Sequence, residues 1–86
     1  MLNLPKIVTK SETDEFFKTI SSNVKRIRQE KKLSQLEVAL SIGQNSSGFY
    51  ANAENYSHGK HFNIEHLFKL SKLFDCDVKD FFDTSK

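Results

Sequence analysis

The stretch Leu33–Asn55, LSQLEVALSIGQNSSGFYANAEN, carries a helix start, a helix stop and a second helix within a few turns of chain. Ser34 followed by Glu37 is a capping box. The Ser side chain takes a free amide of the first turn, and the Glu reaches back to the cap. Leu33 and Val38 stand where a hydrophobic staple fixes the entry angle. Val38 and Ile42 lie one turn apart and form an apolar stripe, flanked by Ala39, which is small where two helices must approach closely. Gly43 follows the stripe. A left-handed residue stops a helix at such a place, and Gly adopts that conformation without steric cost. Asn45 or Ser46 then offers a cap for a helix through Phe49, Tyr50 and Ala53 toward Glu54.

The flanking chain predicts more helix. Thr9 with Glu12, and Ser11 with Asp14, are capping-type pairs, so a first helix starts between Thr9 and Thr13. Phe16 or Phe17, Ile20, Val24 and Ile27 recur at helical spacing up to an end near Lys31. After Asn55, Tyr56–His61 reads as a loop because of its Gly and Ser. Phe62 and Leu67 staple a fourth helix capped by Asn63, with Ile64, Leu67, Phe68, Leu70 and Phe74 as its apolar face. Asp77 caps a short fifth helix holding Val78, Phe81 and Phe82. Both Phe81 and Phe82 tuck under the chain end, or one forms a dimer contact. The expectation is an all-α, five-helix domain over 11–86. Residues 1–10, with Pro5 against a helix, form an N-terminal arm.

Composition narrows the function classes. Eighty-six residues make one small domain. A hydrophobic share of 37% with 28% charged residues suits a globular chain rather than a disordered one. No apolar run is long enough for a bilayer, and no signal-peptide core is present. The single Cys76 cannot form an internal disulfide, which fits a reduced, cytoplasmic protein. His58, His61, His66 and Cys76 match no compact zinc spacing, and Gly43, Gly48 and Gly59 are too scattered for a phosphate loop. No cofactor, metal, small-molecule ligand or enzymatic site is expected. The net charge of +2 hides an uneven distribution. Between Asn23 and Lys32, five cations face one acid, a local +4. That is the footprint of a nucleic-acid surface or of a solvated helix end.

The residues Leu33-Ser34-Gln35, Glu37-Val38-Ala39, Ile42-Gly43 and Glu54-Asn55 resemble the Cro/repressor-type helix-turn-helix family, also called the XRE family. The resemblance extends from about Asn23 to Phe82. It implies a lambda-repressor-like fold and a sequence-specific, DNA-binding transcriptional regulator, a dimeric repressor or autoregulator. It also implies that the third helix enters the major groove of double-stranded DNA and that the second crosses the backbone. Base readers would then be Gln44, Asn45, Ser46 and Ser47, with Tyr50 and Asn52 as further candidates; Asn suits adenine, and Ser serves donor or acceptor. Ser34, Gln35, Asn55, Lys60 and His61 would contact the DNA backbone. Arg28 would pair with Glu54 and fix the angle of the reading helix.

Two features depart from the family pattern. The stretch from Gly43 to Glu54 is one residue longer than usual. With the extra residue in the turn, Tyr50 is core while Ser47 and Asn52 face DNA; with it in the helix, Phe49 is core and Tyr50 exposed. The first register keeps Ala53 and Glu54 in place and is preferred. The third helix also lacks Arg and Lys, and Gly48 costs a helix interior about 1 kcal/mol. Specificity then leans on A·T steps, DNA shape or the arm. The alternative function is a protein-interaction module, an antitoxin or adaptor, whose uncharged third helix meets a protein.

Overall fold

In the computed structural model, which describes residues 7–85, Thr9 opens the first helix. Its hydroxyl accepts from the Glu12 amide at 3.1 Å, and the Glu12 carboxylate accepts from the Thr9 amide at 2.8 Å. Helix α1 runs Lys10–Glu30 and buries Ile20, Val24 and Ile27 along one stripe. Of the four residues of the expected arm that are described, Ile7 and Val8 precede α1, Thr9 is its cap and Lys10 its first residue. Residues 1–6 lie outside the described residues. Helix α2 is Gln35–Ser41, with the Ser34–Glu37 capping box in place. Helix α3 is Gly48–Asn55, and α4 is Ile64–Phe74.

Asn63 caps α4 reciprocally: its side chain accepts from the His66 amide at 2.8 Å, while His66 Nδ1 accepts from the Asn63 amide at 3.1 Å. That second bond needs a neutral His66 ring. Burial and the nearby Lys69 both push the ring below the ordinary histidine value, toward the form the cap requires.

The fifth helix differs from expectation. Val78–Phe82 is a short 3₁₀ stretch, so the described residues hold four α-helices plus 3₁₀ turns rather than five helices. The reason is tertiary. The buried Asn23 amide on α1 donates to the carbonyls of Phe81 and Asp83, at 2.9 and 2.8 Å. Those bonds, with the fully buried Phe81 ring, hold the segment as a strap across α1. Phe82 is half-buried, with its ring 6.0 Å from Phe16.

One core joins the elements. Val38, Ala39 and Ile42 from α2 meet Tyr50 and Ala53 from α3, and Leu67, Leu70 and Phe74 from α4 close it beneath Phe62. The α1 stripe runs through its middle. Ser21 adds a buried tie, donating to the Ala53 carbonyl at 2.7 Å. Asn23→Ala removes both side-chain bonds to the strap, so urea denaturation should show a loss of about 1–3 kcal/mol.

Candidate nucleic-acid interface

The end of α2 is built by backbone bonds. Gly43 has φ +93°, its amide donates to Leu40, and the Gln44 amide donates to Ala39. This is the paired closure of a left-handed helix stop. The α2 end is also held from α4. Lys69 Nζ donates to the Ile42 carbonyl at 3.4 Å and pairs with Glu65 at 3.0 Å. A cation at a helix C-terminus offsets the dipole there.

The start of α3 differs from the expectation of an Asn45 or Ser46 cap. Ser47 occupies the cap position at φ −82°, ψ −3°, and makes no side-chain cap bond. A cap needs an extended backbone to swing its oxygen back over the first turn, and Ser47 is already helical. Gly48 is the first helical residue, so the interior penalty expected for it does not apply.

Helix α3 is oriented from its far end. Glu54 has a fully buried side chain, and both its oxygens are used. Arg28 Nε donates to Oε2 at 2.8 Å, Arg28 Nη2 donates to Oε1 at 2.9 Å, and Gln35 Nε2 also donates to Oε1, at 3.1 Å. Arg28 Nη1 donates to the Leu33 carbonyl at 2.8 Å. One guanidinium therefore joins α1, the α1–α2 link and α3, while Gln35 adds α2. Burial alone would push the Glu54 carboxyl up. The Arg28 and Gln35 bonds outweigh it and hold the group below its ordinary value. Tyr50 lies beside the pair, where burial and the Glu54 charge push its phenol well up. Its hydroxyl has no partner in hydrogen-bond geometry.

With Tyr50, Ala53 and Glu54 buried, the opposite face of α3 carries Gly48, Asn52 and Asn55. Asn45 and Ser46 stand exposed in the turn before it, and Gln44 and Ser47 are half-buried. This surface is uncharged and concentrated in amides and hydroxyls, with Asn52 half-buried on it. A family model described as Helix-turn-helix matches residues 24–81. The chain belongs to the Cro/C1-type (XRE) helix-turn-helix family. No curated protein and no solved structure matches.

The helix-turn-helix is a DNA-binding domain, and domains of its family are generally non-enzymatic. Tyr50, one of the base-reading candidates, is a correction: its ring is 0% exposed and its place is the core. The turn, not the helix, takes the extra residue, because Tyr50, Ala53 and Glu54 all point inward in one register. Of the backbone candidates, Ser34 and Gln35 lie together at the start of α2, where the Ser34 hydroxyl serves Glu37 and the Gln35 amide serves Glu54. Asn55 is exposed at the last position of α3, and Lys60 and His61 are exposed in the loop that follows. The His61 ring stacks on Phe17 with centroids 3.9 Å apart.

Phe49 went unnoticed as a surface residue. It is 37% exposed on the flank of α3, 5.3 Å from the His66 ring. Once Tyr50 is placed inside, helical spacing alone puts Phe49 at the edge. Lys69 was also missed; its i,i+4 pairing with Glu65 was visible, its bond to Ile42 was not. Among the described residues no helix is long and apolar enough to cross a membrane, and no cluster of His, Cys, Asp or Glu could hold a metal ion.

Arg28→Met strands a buried carboxylate and should cost about 3–5 kcal/mol in chemical denaturation. Arg26→Gln, which breaks the exposed pair with Glu30, should cost less than about 1 kcal/mol. Because the folded-state value of Glu54 lies below the ordinary 4.5, its contribution is complete above that pH. It is lost as pH falls through the lowered value, and thermal melts of wild type and Arg28→Met should converge there.

Proposed function

We propose that this protein is a sequence-specific transcriptional regulator that binds its operator as a homodimer and acts as a repressor or autoregulator. The observation that carries the proposal is the α3 face of Gly48, Asn52 and Asn55 with Asn45 and Ser46 beside it, oriented by the buried Arg28–Glu54 pair. Asn52, Asn45, Ser46, Ser47 and Gln44 are its base-reading set. Asn pairs bidentately with adenine, and without Arg the helix has no bidentate guanine reader, so the operator is rich in A·T steps. Ser34, Gln35, Asn55, Lys60 and His61 are its phosphate contacts, which set register and affinity.

An open apolar groove supports dimerisation. Phe16, Ile64 and Phe82 line it together, with Phe16 55% and Ile64 77% exposed. An apolar surface of this kind on a small domain marks an interaction site. A second copy there would present two reading helices to half-sites about one turn of DNA apart. The uncharged α3 and the half-exposed Phe49 favour one second reading, an adaptor whose α3 meets a protein.

The test is binding of the purified chain to DNA upstream of its own gene, across a salt series, beside unrelated DNA of equal length. The expected result is a preference of about a thousandfold for the upstream DNA, with the affinity for it falling as salt rises. Equal weak binding to both would mean that the operator lies elsewhere or that α3 meets a protein. Sedimentation should show a dimer that Phe16→Glu dissociates, with the melting transition retained.

A further inference from the structure

Helix α1 begins well before the family match. Residues 10–23 lie upstream of it, and besides holding the strap and α3 they touch the loop between α3 and α4. That loop, Tyr56–His61, joins α3 to α4. Three of its residues have left-handed φ: Tyr56 at 52°, His58 at 57° and Gly59 at 68°. Two of these three are not glycine, and such a backbone persists only where its surroundings hold it. What holds it is the first half of α1. The Tyr56 hydroxyl donates to Asp14 Oδ1 at 2.8 Å. The Phe17 ring lies against two loop rings: Tyr56, with centroids 6.0 Å apart and planes 25° off parallel, and His61, at 3.9 Å and 20°. Lys10 pairs with Asp14 at 3.0 Å and closes the cluster from the solvent side. His61 Nδ1 lies 3.2 Å from the Gly59 carbonyl, so the ring is fixed to its own loop as well.

We infer that Asp14 and Phe17, on the part of α1 outside the family match, are positioning residues that brace the Tyr56–His61 loop so that Lys60 is presented to the phosphodiester backbone of DNA. The inference rests on the proposed phosphate-contact role of Lys60. Lys60 is exposed at the end of the loop, between the left-handed Gly59 and the stacked His61. Its backbone is therefore clamped on both sides while its side chain projects. A cation on a clamped backbone loses less freedom on meeting a phosphate than one on a mobile loop, so more of its attraction survives as affinity. The brace carries no sequence information, since the backbone term is common to every duplex.

The common backbone term makes the test independent of the operator. The full chain is titrated against a labelled duplex of arbitrary sequence, about 20 base pairs long, over a salt series. Lys60→Gln should lower the salt slope by about one. Phe17→Ala should lower it by a similar amount and weaken low-salt binding roughly three- to tenfold, while Phe17→Tyr, which keeps the stack, should behave as wild type. Phe17→Ala added to Lys60→Gln should change the slope no further, because Lys60 is the one lysine of the Tyr56–His61 loop and the brace acts on the slope through it. Tyr56→Phe keeps every ring and removes only the bond to Asp14. It serves as the second variant if Phe17→Ala melts early, and should weaken binding by about twofold or more with a reduced slope. Wild-type slopes in Tyr56→Phe and in a folded Phe17→Ala, or fully additive effects of Phe17→Ala and Lys60→Gln, would overturn the inference while leaving DNA binding intact. A Lys60→Gln slope equal to wild type would instead overturn the phosphate role of Lys60, and the inference with it.

Discussion

Arg28 and Glu54 meet where three helices converge, and the arrangement works because the guanidinium is flat. Two of its nitrogens face the two carboxylate oxygens of α3, and the third reaches the Leu33 carbonyl between α1 and α2. A lysine at that position could serve one of these partners but not all three, since its ammonium is a point donor. Taking both charges out of water is costly, so the pair is a weak source of net stability. What it does supply is direction. Among the rotations that an eight-residue helix could adopt on an apolar surface, the one that satisfies both Glu54 oxygens places Tyr50 and Ala53 inside and Asn52 outside.

The parts of this architecture that were legible in the sequence are those written in local spacing. Ser34 with Glu37, Thr9 with Glu12, and Asn63 before its apolar run each announce a helix that starts at the next residue, because a cap bonds the amide three residues on in its own first turn. Gly43 announced a stop for the same local reason. The start of α3 was misplaced because Ser47 is helical and caps nothing, so the signals at Asn45 and Ser46 had no structural counterpart. The choice between Phe49 and Tyr50 depended on where one extra residue was absorbed, which tertiary contact decides. Ser21 and Asn23 gave no warning at all. As polar residues on a helix they read as surface, yet their partners lie 32 and 58 residues away: Ser21 ties α1 to α3, and Asn23 turns the last segment into a strap instead of a fifth helix.

The proposed interface draws on elements of different character. The outer face of α3 is neutral and holds short polar side chains. The lysine proposed to meet DNA, Lys60, lies in the loop after α3, where a 3₁₀ turn over Ser57–Gly59 is braced by aromatic stacking. Lys69 belongs to neither group. It stays behind the turn, where it neutralises the end of α2 and leaves the front of the unit free of charge.

The absence of a side-chain cap on α3 has a wider consequence. The rotation of that helix is dictated from its C-terminal end, by Glu54 and by the Ala53 carbonyl, while the turn before it contributes no anchoring bond at Ser47. A segment anchored at one end tolerates variation at the other. Related chains can therefore diverge at Gln44–Ser47 in both composition and length while the helix shows the same face. New preferences for partner sequences can arise there by drift, without first passing through variants that misfold.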